Sequence, residues 1–441
     1  MESKKVIKNA SWIIGVQIIR SIVSIVISML TARFLGPSSY GLINYAASIV
    51  AFVAPIMYLG LSGILVQEIV NSPEREGEII GTAITMSFCS SLICIAGVVA
   101  FVFFVNAGEK ETLIVCALYS ILLIFQSIDL IQYWFQAKLI SKYSSITGFI
   151  AYLIVAGYKV FLLLAHKSIF WFAISNALDY MLISLSLLII YKHKGGQRLR
   201  FSWYTAKCMF ARSKYYIFSD LMVTVFAQTD RIMLKLMIDD TATGYYSAAV
   251  TCAGMTSFIF SAIIDSVRPM AFDCKKEKEE EKYEKSIICL YSVVIYLSLL
   301  QSIVTTIASP LVIKILYGNE YQTSVGALQI IVWYCSFSYL GGARAVWILA
   351  EEKQKHLVVI NLVGACLNII LNLVLIPKIG INGAAIASVI TQFFTNIVFV
   401  SIYKPTRRTG YLQWMALNPK YLCEVLKLFK SKKGINTNNK R

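Results

Sequence analysis

Charged residues are scarce in this sequence: they make up 15% of its 441 residues, whereas hydrophobic residues make up 57%. Soluble globular domains carry about 25% charged residues. A chain with so little charge is not expected to form an ordinary soluble domain. Its repeated apolar runs of about 20 residues have the length that crosses a bilayer as a helix. The composition therefore predicts an all-α integral membrane protein.

Side chains that commonly catalyse reactions or bind metals are also few. The three histidines, His166, His193 and His356, border opposite faces of the predicted membrane region and cannot form one site. The ten cysteines have neither zinc-ligand spacing nor a CxxC motif, and most are expected to be small buried hydrophobes. No loop is large enough for a soluble catalytic domain. We therefore expect no enzyme, no catalytic residue, no cofactor and no metal.

Acidic residues are outnumbered, with 24 Asp and Glu against 41 Lys and Arg and a formal net charge of +17. Nucleic-acid binding is not expected, because the bases cluster in short loops between apolar runs. Outside the C-terminal tail, loops on the side of the N-terminus hold 21 bases and the opposite loops hold five. The positive-inside rule therefore predicts both termini in the cytoplasm. Such bases also attract anionic membrane lipids.

The apolar runs predict twelve transmembrane helices, and the first is expected to be an uncleaved span because it is too long for a signal peptide. The basic loop at 196–212 divides the spans six and six. We expect an N-terminal six-helix bundle, a cytoplasmic linker, a C-terminal six-helix bundle and a basic tail with the amphipathic segment "YLCEVLKLFK"; their limits are 1–195, 196–212, 213–405 and 406–441. The predicted spans are 10–33, 40–67, 79–106, 113–136, 143–165, 168–191, 213–237, 243–267, 286–309, 322–350, 356–376 and 380–403.

A short internal sequence repeat, called the internal echo below, indicates that the chain has two similar halves. "GPSSYGLINYAAS" follows the first span and "DDTATGYYSAAVT" follows the seventh, so that Gly41 aligns with Gly244. Together with the six-plus-six division, the echo predicts two bundles in parallel orientation.

Polar residues follow one face of the first span and one face of the seventh. The stripe on the first span consists of Gln17, Arg20, Ser24, Ser28 and Thr31. The stripe on the seventh consists of Asp220, Thr224, Gln228, Arg231 and Lys235. Within each stripe the residues are three or four positions apart, which places them on one helical face. Such a face is expected to line a bundle interior or a wet cavity rather than lipid.

Further charges within the predicted spans are Asp129, Lys159, Asp179, Asp230, Asp265 and Arg344. Two interpretations are open. Polar residues can hold helices together: Asp230 could pair with Arg231, and Lys235 could extend to the outer interface. Alternatively, the cations line a cavity and bind a phosphate or pyrophosphate, because a guanidinium matches phosphate oxygens in a forked geometry. The second interpretation predicts a transporter of an anionic substrate with a polar part.

Three segments then carry a resemblance to a known family. "NASW…R…ARFLGPSSYG" is similar to the start of polysaccharide exporters, "DLIQYWFQAKLISKY" to the end of their fourth span, and "QTDRIMLKLMIDDTATGYYSAA" to their seventh span and the following loop. Over roughly residues 5–405 the chain resembles the Wzx-type oligosaccharide flippases of the multidrug/oligosaccharidyl-lipid/polysaccharide exporter superfamily.

The resemblance implies a V-shaped pair of six-helix bundles around a central cavity, and alternating access coupled to an ion gradient of H⁺ or Na⁺. The substrate it implies is an undecaprenyl-pyrophosphate-linked oligosaccharide, moved across the bacterial cytoplasmic membrane for O-antigen, capsule or exopolysaccharide, alongside a polysaccharide polymerase. The basic cavity residues of relatives fall on Arg20 and Arg231. The candidate substrate-binding residues are Arg20, Gln17, Ser24, Arg231, Gln228, Arg344 and Lys159. The candidate ion-coupling or gating residues are Asp129, Asp179, Asp230, Asp265 and Arg268, the last two as a gate pair.

Three other functions stay open at this point. A multidrug-type cation antiporter of the same superfamily would favour carboxylates over arginine in its cavity. A membrane enzyme such as a polysaccharide polymerase or ligase would need a substantial outer loop, and the outer loops here are short. A purely structural role would leave the costly intramembrane charges without a use.

Overall fold

The structure, a computed structural model, describes the backbone of residues 2–423 and the side chains of residues 19–423. The side chain of Gln17, a candidate substrate-binding residue, lies outside the described residues. So does the part of the predicted amphipathic tail segment beyond residue 423. Within them the fold is all α, and short 3₁₀ and π turns join the helices. The helices are α1 (Glu2–Met57), α2 (Leu65–Asn71), α3 (Glu76–Val105), α4 (Lys110–Ser120), α5 (Leu122–Asp129), α6 (Gln132–Ala137), α7 (Lys142–Leu164), α8 (Ile169–His193), α9 (Trp203–Met237), α10 (Asp240–Ala253), α11 (Ser257–Lys276), α12 (Glu280–Leu316), α13 (Ser324–Ala350), α14 (Lys355–Phe393), α15 (Phe399–Ile402) and α16 (Arg407–Ala416).

Nine helical runs in the described part of the chain are long and apolar enough to cross a membrane. This confirms the predicted all-α, multi-pass membrane fold. Two of the nine runs, Ile19–Met57 and Lys355–Ile402, each cover two predicted spans. The seventh predicted span lies in α9, which carries the charged residues of the polar stripe on that span. This helix is not among the nine candidate membrane-spanning runs. The count of twelve transmembrane helices stays a prediction.

A backbone break within each double-length run explains how two predicted spans join there. Gly36 interrupts α1 with φ 75° and ψ 171°, and Gly380 interrupts α14 with φ 60° after a non-helical Ile379. A positive φ is costly for residues with a Cβ, and glycine adopts it freely. The loops "LGPSSYG" and "PKIG" that the sequence predicts between spans are therefore sharp turns between helical segments.

Several predicted spans have different limits from those expected, the second and the fourth among them. The second span was predicted to end at 67, but α1 ends at Met57 and a separate short helix, α2, follows. The fourth predicted span, 113–136, consists of α4, α5 and α6, with breaks at Ile121 and at 130–131. An apolar run does not reveal such breaks, because turns buried among other helices have the same composition as the helices.

Contacts divide the chain into two compact units, residues 1–248 and 249–441. The first unit includes α9, which the sequence assigns to the second six-helix half, and α9 packs against α1 there. The six-helix boundary at 196–212 stays a prediction. Aromatic residues fill the inner core of this unit near the predicted cytoplasmic side, including Phe135, Trp134 and Tyr191.

A contact between two glycines joins α1 to α10 within the first unit. A Cβ on Gly41 would lie 1.7 Å from the carbonyl oxygen of Asp240, and a Cβ on Gly244 would lie 2.0 Å from that of Pro37. Both positions therefore require glycine, because the two backbones touch there. Gly41 and Gly244 are also the residues that the internal echo aligns, so equivalent positions of the two repeats pack against each other.

The second unit is built on α12, which packs against α11, α13 and α16. Its core is rich in large buried side chains, among them Phe260, Tyr283, Tyr291 and Trp347. Helix α16 is attached to α12 by polar contacts at both ends. Arg408 pairs with Glu284 at 2.6 Å, and the hydroxyl of Tyr296 donates to the carbonyl of Leu417 at 2.5 Å.

Candidate functional site

Arg20 on α1 forms an ion pair with α8 inside the first unit. Its Nη2 lies 3.2 Å from Oδ2 of Asp179, and its guanidinium carbon lies 5.0 Å from the ring centre of Tyr152 on α7. The side chain of Arg20 is 32% exposed and that of Asp179 is 12% exposed. A carboxylate and an aromatic face both stabilise a guanidinium, which offsets the cost of holding it within the membrane. The structure thus brings together a predicted substrate-binding residue and a predicted ion-coupling residue.

Lys159 on α7 reaches the same face of α8. Its Nζ donates a 3.0 Å hydrogen bond to Oδ1 of Asn176, which lies three residues before Asp179 and therefore on the same side of α8. Two cations from two different helices consequently converge on one face of α8. This Arg20–Asp179–Lys159–Asn176 group is called the cation cluster below.

A cavity of about 260 Å³ lies beside the cation cluster. Asn176 and Asp179 line it, and so do Gln126 of α5 and the ring of Tyr119, while small residues of α1 form another wall. Oδ1 of Asp179 and Oε1 of Gln126 are buried and have no hydrogen-bond partner among the described residues. Buried oxygens without a donor are costly, so this cavity is suited to a proton or a cation that would complete them.

Asp129 lies one helical turn after Gln126, near the end of α5. It is 7% exposed, and its Oδ2 accepts a 2.7 Å hydrogen bond from Nε2 of Gln132. The carboxylate therefore has a local amide donor. Its role as an ion-coupling residue stays a prediction.

The rest of the stripe on α1 is largely satisfied by local bonds. The hydroxyls of Ser28 and Tyr40 are 2.8 Å apart, and the hydroxyl of Thr31 donates to the carbonyl of Ile27. Ser24 is exposed. Of the described members of this stripe, Arg20 is the one that makes a charged contact between helices.

The stripe on α9 faces the second half of α1. Oε1 of Gln228 accepts hydrogen bonds of 3.0 Å from both Ser48 of α1 and Arg231. Nε of Arg231 is buried without a partner among the described residues. Arg231 thus keeps an unused donor, as an anion-binding residue would.

Asp230 contacts α10. Its Oδ2 accepts a short hydrogen bond from the hydroxyl of buried Tyr246. The suggested pairing of Asp230 with Arg231 stays a prediction. Successive helical residues point about 100° apart, so neighbours in sequence face different helices.

Lys235 is buried, and its extension to the outer interface stays a prediction. Its side chain is 5% exposed, and its Nζ lies 2.8 Å from Oε2 of Glu109 and 2.6 Å from Oδ2 of Asp240. Burial alone would raise the pKa of Glu109, but hydrogen bonds from Lys235 and Thr112 outweigh it and hold that pKa below its usual value. This ion triad ties the end of α9 to the connection between α3 and α4.

The remaining candidates lie in the second unit. Arg344 is 4% exposed, and its Nη1 donates a 3.2 Å hydrogen bond to the carbonyl of Thr395. That carbonyl belongs to the π-helical turn Phe394–Val398, a local widening that is frequent at functional sites. Asp265 and Arg268 form a 3.0 Å ion pair one turn apart on α11, and both are 42% exposed. Their predicted pairing is confirmed, and their role as a gate stays a prediction.

Sequence reasoning missed three contributors to the site in the first unit: Asn176, Gln126 and Tyr152. Asn176 could have been found, because it precedes Asp179 by three residues on the same helical face. Gln126 stands in the same relation to Asp129. Tyr152 offered no signal, since a tyrosine among apolar residues of a span is equally typical of helix packing.

Comparisons with known proteins agree with this fold. A family model described as "Polysaccharide biosynthesis protein" matches residues 6–275. The capsular polysaccharide biosynthesis protein CapF of Staphylococcus aureus is 21% identical over 414 residues, which cover 90% of this chain and 99% of that protein.

Two solved structures share the fold. The lipid II flippase MurJ, in an inward closed conformation, superposes with a TM-score of 0.68 at 14% identity, covering 93% of this chain and 92% of that one. A multidrug resistance MATE family transporter of the MOP superfamily, in an inward-facing conformation, gives 0.67 at 13% identity, covering 90% and 96%. At such identities the likeness shows the fold alone. The match over residues 6–275 confirms the resemblance drawn from the sequence motifs: this chain belongs to the polysaccharide biosynthesis protein family.

Proposed function

We propose that the chain is a flippase for a lipid-linked oligosaccharide used in surface polysaccharide synthesis. The proposed substrate is an undecaprenyl-pyrophosphate-linked unit, moved by alternating access across a bacterial cytoplasmic membrane with both termini cytoplasmic. The observation that carries the proposal is the cation cluster, where Arg20 and Lys159 converge within a membrane-embedded helix bundle. A guanidinium in such a low-dielectric place pairs strongly with phosphate oxygens.

Asp179 gives the proposed cycle its ion dependence. In this structure Asp179 neutralises Arg20. A pyrophosphate that takes Arg20 as its partner leaves the Asp179 carboxylate unpaired, beside the unpartnered oxygen of Gln126. The carboxylate then needs H⁺ or Na⁺. Binding of the anion and binding of the ion thereby favour each other, and this linkage is reciprocal by thermodynamic necessity.

A transport assay in cells tests the proposal. The gene is deleted in a strain without a paralogue, and the lipid-linked oligosaccharide is measured separately in the inner and outer leaflets. We expect the oligosaccharide to accumulate in the cytoplasmic leaflet and the wild-type gene to restore delivery. Arg212→Ala, which removes an exposed arginine paired with Glu68, serves as the control and should deliver normally. Normal delivery without the gene would refute the proposal.

A multidrug-type cation antiporter is the second candidate. It is favoured by the oxygen-rich lining of the cavity, where Asp179, Asn176 and Gln126 lie together, and such oxygens suit an organic cation. Overexpression in a drug-sensitive strain separates the two functions. Increased resistance to cationic drugs that is lost in Asp179→Asn but kept in Arg20→Lys would support the antiporter, because that transport needs the carboxylate and not the guanidinium.

A further inference from the structure

A small apolar pocket lies in the second unit, between α12, α13, α14 and α16. Its volume is about 180 Å³, and its walls include Ile295, Leu299, Phe337, Phe393 and Trp414. A cavity of this size holds a ring or a short stretch of hydrocarbon, since an apolar cavity of about 150 Å³ binds benzene. None of the residues proposed for transport lines this pocket.

Gln413 places an unsatisfied amide at the wall of this pocket. The residue is 5% exposed, and neither its Nε2 nor its Oε1 has a hydrogen-bond partner among the described residues. Burying a primary amide without partners is costly, because both its donor and its acceptor lose their bonds to water. A leucine of similar size would fill the same space without this penalty. The amide therefore indicates a ligand that completes it.

The other polar groups of the pocket already donate elsewhere. The hydroxyl of Ser298 donates to the carbonyl of Ile295 at 3.1 Å, and the hydroxyls of Ser336 and Ser302 are 2.8 Å apart. No charged side chain is among the lining residues. A ligand with a charged head would find no counter-charge here, so the ligand is neutral. It must also both donate and accept a hydrogen bond.

The pocket opens through an apolar rim. Phe393, Trp414 and Leu417 are 44%, 58% and 45% exposed, and all three line it. Of these three, Phe393 belongs to the candidate membrane span Lys355–Ile402, and Trp414 and Leu417 lie at the same rim on the adjoining segment. Exposed apolar side chains of a membrane span face hydrocarbon. The ligand therefore enters from the bilayer, and the part of it that does not fit the pocket stays among the lipid chains.

The helix that carries Gln413 is held in place before any ligand arrives. The hydroxyls of Thr409 and Tyr291 are 2.6 Å apart, one turn before Gln413, and the carbonyl of Leu417 accepts from Tyr296 one turn after it. The amide is thus preorganised at the pocket wall, which lowers the cost of ordering it on binding.

From these observations we infer that the pocket binds a neutral lipid alcohol, with the hydroxyl of the lipid donating to Oε1 and accepting from Nε2 of Gln413. The site is independent of the transport proposal, because it shares no residue with the cation cluster.

Photolabelling of the purified full chain tests this inference. The probe is a twelve-carbon alcohol that carries a diazirine, and the competitors are 1-dodecanol and its methyl ether, which can accept a hydrogen bond but cannot donate one. We expect labelled peptides from α12 and α16. We also expect 1-dodecanol to compete at an approximately tenfold lower concentration than the ether, because the ether lacks the hydrogen bond donated to Oε1 of Gln413.

Gln413→Leu and a matched control complete the experiment. Gln413→Leu should still be labelled but should no longer distinguish the alcohol from the ether, and it should unfold at a higher temperature than the wild type without alcohol. The control is Gln329→Leu, whose amide donates to the carbonyl of Thr306 within the same unit, and it should keep the distinction. Absence of labelling at α12 and α16, or equal competition by the two compounds on the wild type, would overturn the inference. Equal competition would mean that the amide is satisfied by water and the pocket accepts hydrocarbon alone.

Discussion

Arg20 and Asp179 form an ion pair of 3.2 Å between α1 and α8 of the first unit. Neither residue has a charged neighbour in sequence, so tertiary packing creates the pair. It gives the intramembrane arginine a partner that an anionic substrate can replace. The first prediction follows from this exchange.

Asp179→Asn should tighten binding of the pyrophosphate-linked substrate and remove the dependence of transport on the ion gradient. The asparagine keeps the shape but no longer competes as a charge for Arg20, so an affinity gain of about three- to tenfold is expected. Substrate binding is measured on purified protein at two pH values and with or without Na⁺. Asp273→Asn makes the same charge change at an exposed position on α11 of the second unit and should behave as the wild type. Unchanged affinity and unchanged ion dependence in Asp179→Asn would show that the pair is structural.

Lys235→Met should destabilise the protein by about 2–3 kcal/mol. The change leaves Glu109 and Asp240 facing each other without their shared cation, and removing one partner of a buried pair costs about 3–5 kcal/mol; the partial exposure of Glu109 reduces this. Thermal unfolding in detergent measures the loss, with the exposed Lys276→Met as the control. The triple variant Lys235→Met, Glu109→Gln, Asp240→Asn should recover much of the stability. If Lys235→Met unfolds at the wild-type temperature, the triad contributes nothing.

The Lys235–Glu109 pair should weaken in acid. Because the pKa of Glu109 is lower in the folded protein than in the unfolded chain, its ionised form stabilises the fold above the unfolded pKa of about 4.3. This contribution is lost as the pH falls through the lower, folded value. The melting temperatures of wild type and Glu109→Gln should therefore differ at pH 6 and converge toward pH 3. A difference that stays constant over this range would exclude a role for the Glu109 charge.

Gly244→Ala should strongly reduce the yield of folded protein. A methyl group there would lie 2.0 Å from the carbonyl oxygen of Pro37, so that α1 and α10 would have to separate. Gly97→Ala is the matched control, because a Cβ at Gly97 meets nothing within 4 Å, and alanine in an exposed helix is favoured by about 0.5–1 kcal/mol over glycine. Equal yields of the two variants, measured by size-exclusion chromatography, would mean that the glycine contact is dispensable.

The fold class, the membrane location and the family were predictable from the sequence, because apolar runs and charged loops are local features. The stripe on α1 was predictable for the same reason, and so was the pairing of Asp265 with Arg268, one helical turn apart. The echo predicted equivalent glycines, but their direct contact depends on how α1 and α10 pack.

Partners distant in sequence could not be predicted. The cation cluster joins α1, α7 and α8, and the pairing of Arg20 with Asp179 crosses 159 positions. The burial of Lys235 by the carboxylates of Glu109 and Asp240 likewise depends on how the helices pack. The hydrogen bond from Tyr246 to Asp230 also depends on how α9 and α10 pack. In each case a helix fixes the direction of a side chain, and only the packing of helices decides what lies there.

Transport by the purified protein tests the central claim most directly. The protein is reconstituted into liposomes with a fluorescent undecaprenyl-pyrophosphate-linked oligosaccharide, and the rate at which the label crosses the bilayer is compared for wild type, Arg20→Lys and Arg20→Ala. We expect the transport rate of Arg20→Ala to be at least tenfold lower than that of the wild type, while its thermal unfolding stays cooperative. The rate of Arg20→Lys should lie between the two, because lysine keeps the charge but lacks the forked donors of the guanidinium. Folded Arg20→Ala that moves the substrate at the wild-type rate would contradict the central claim.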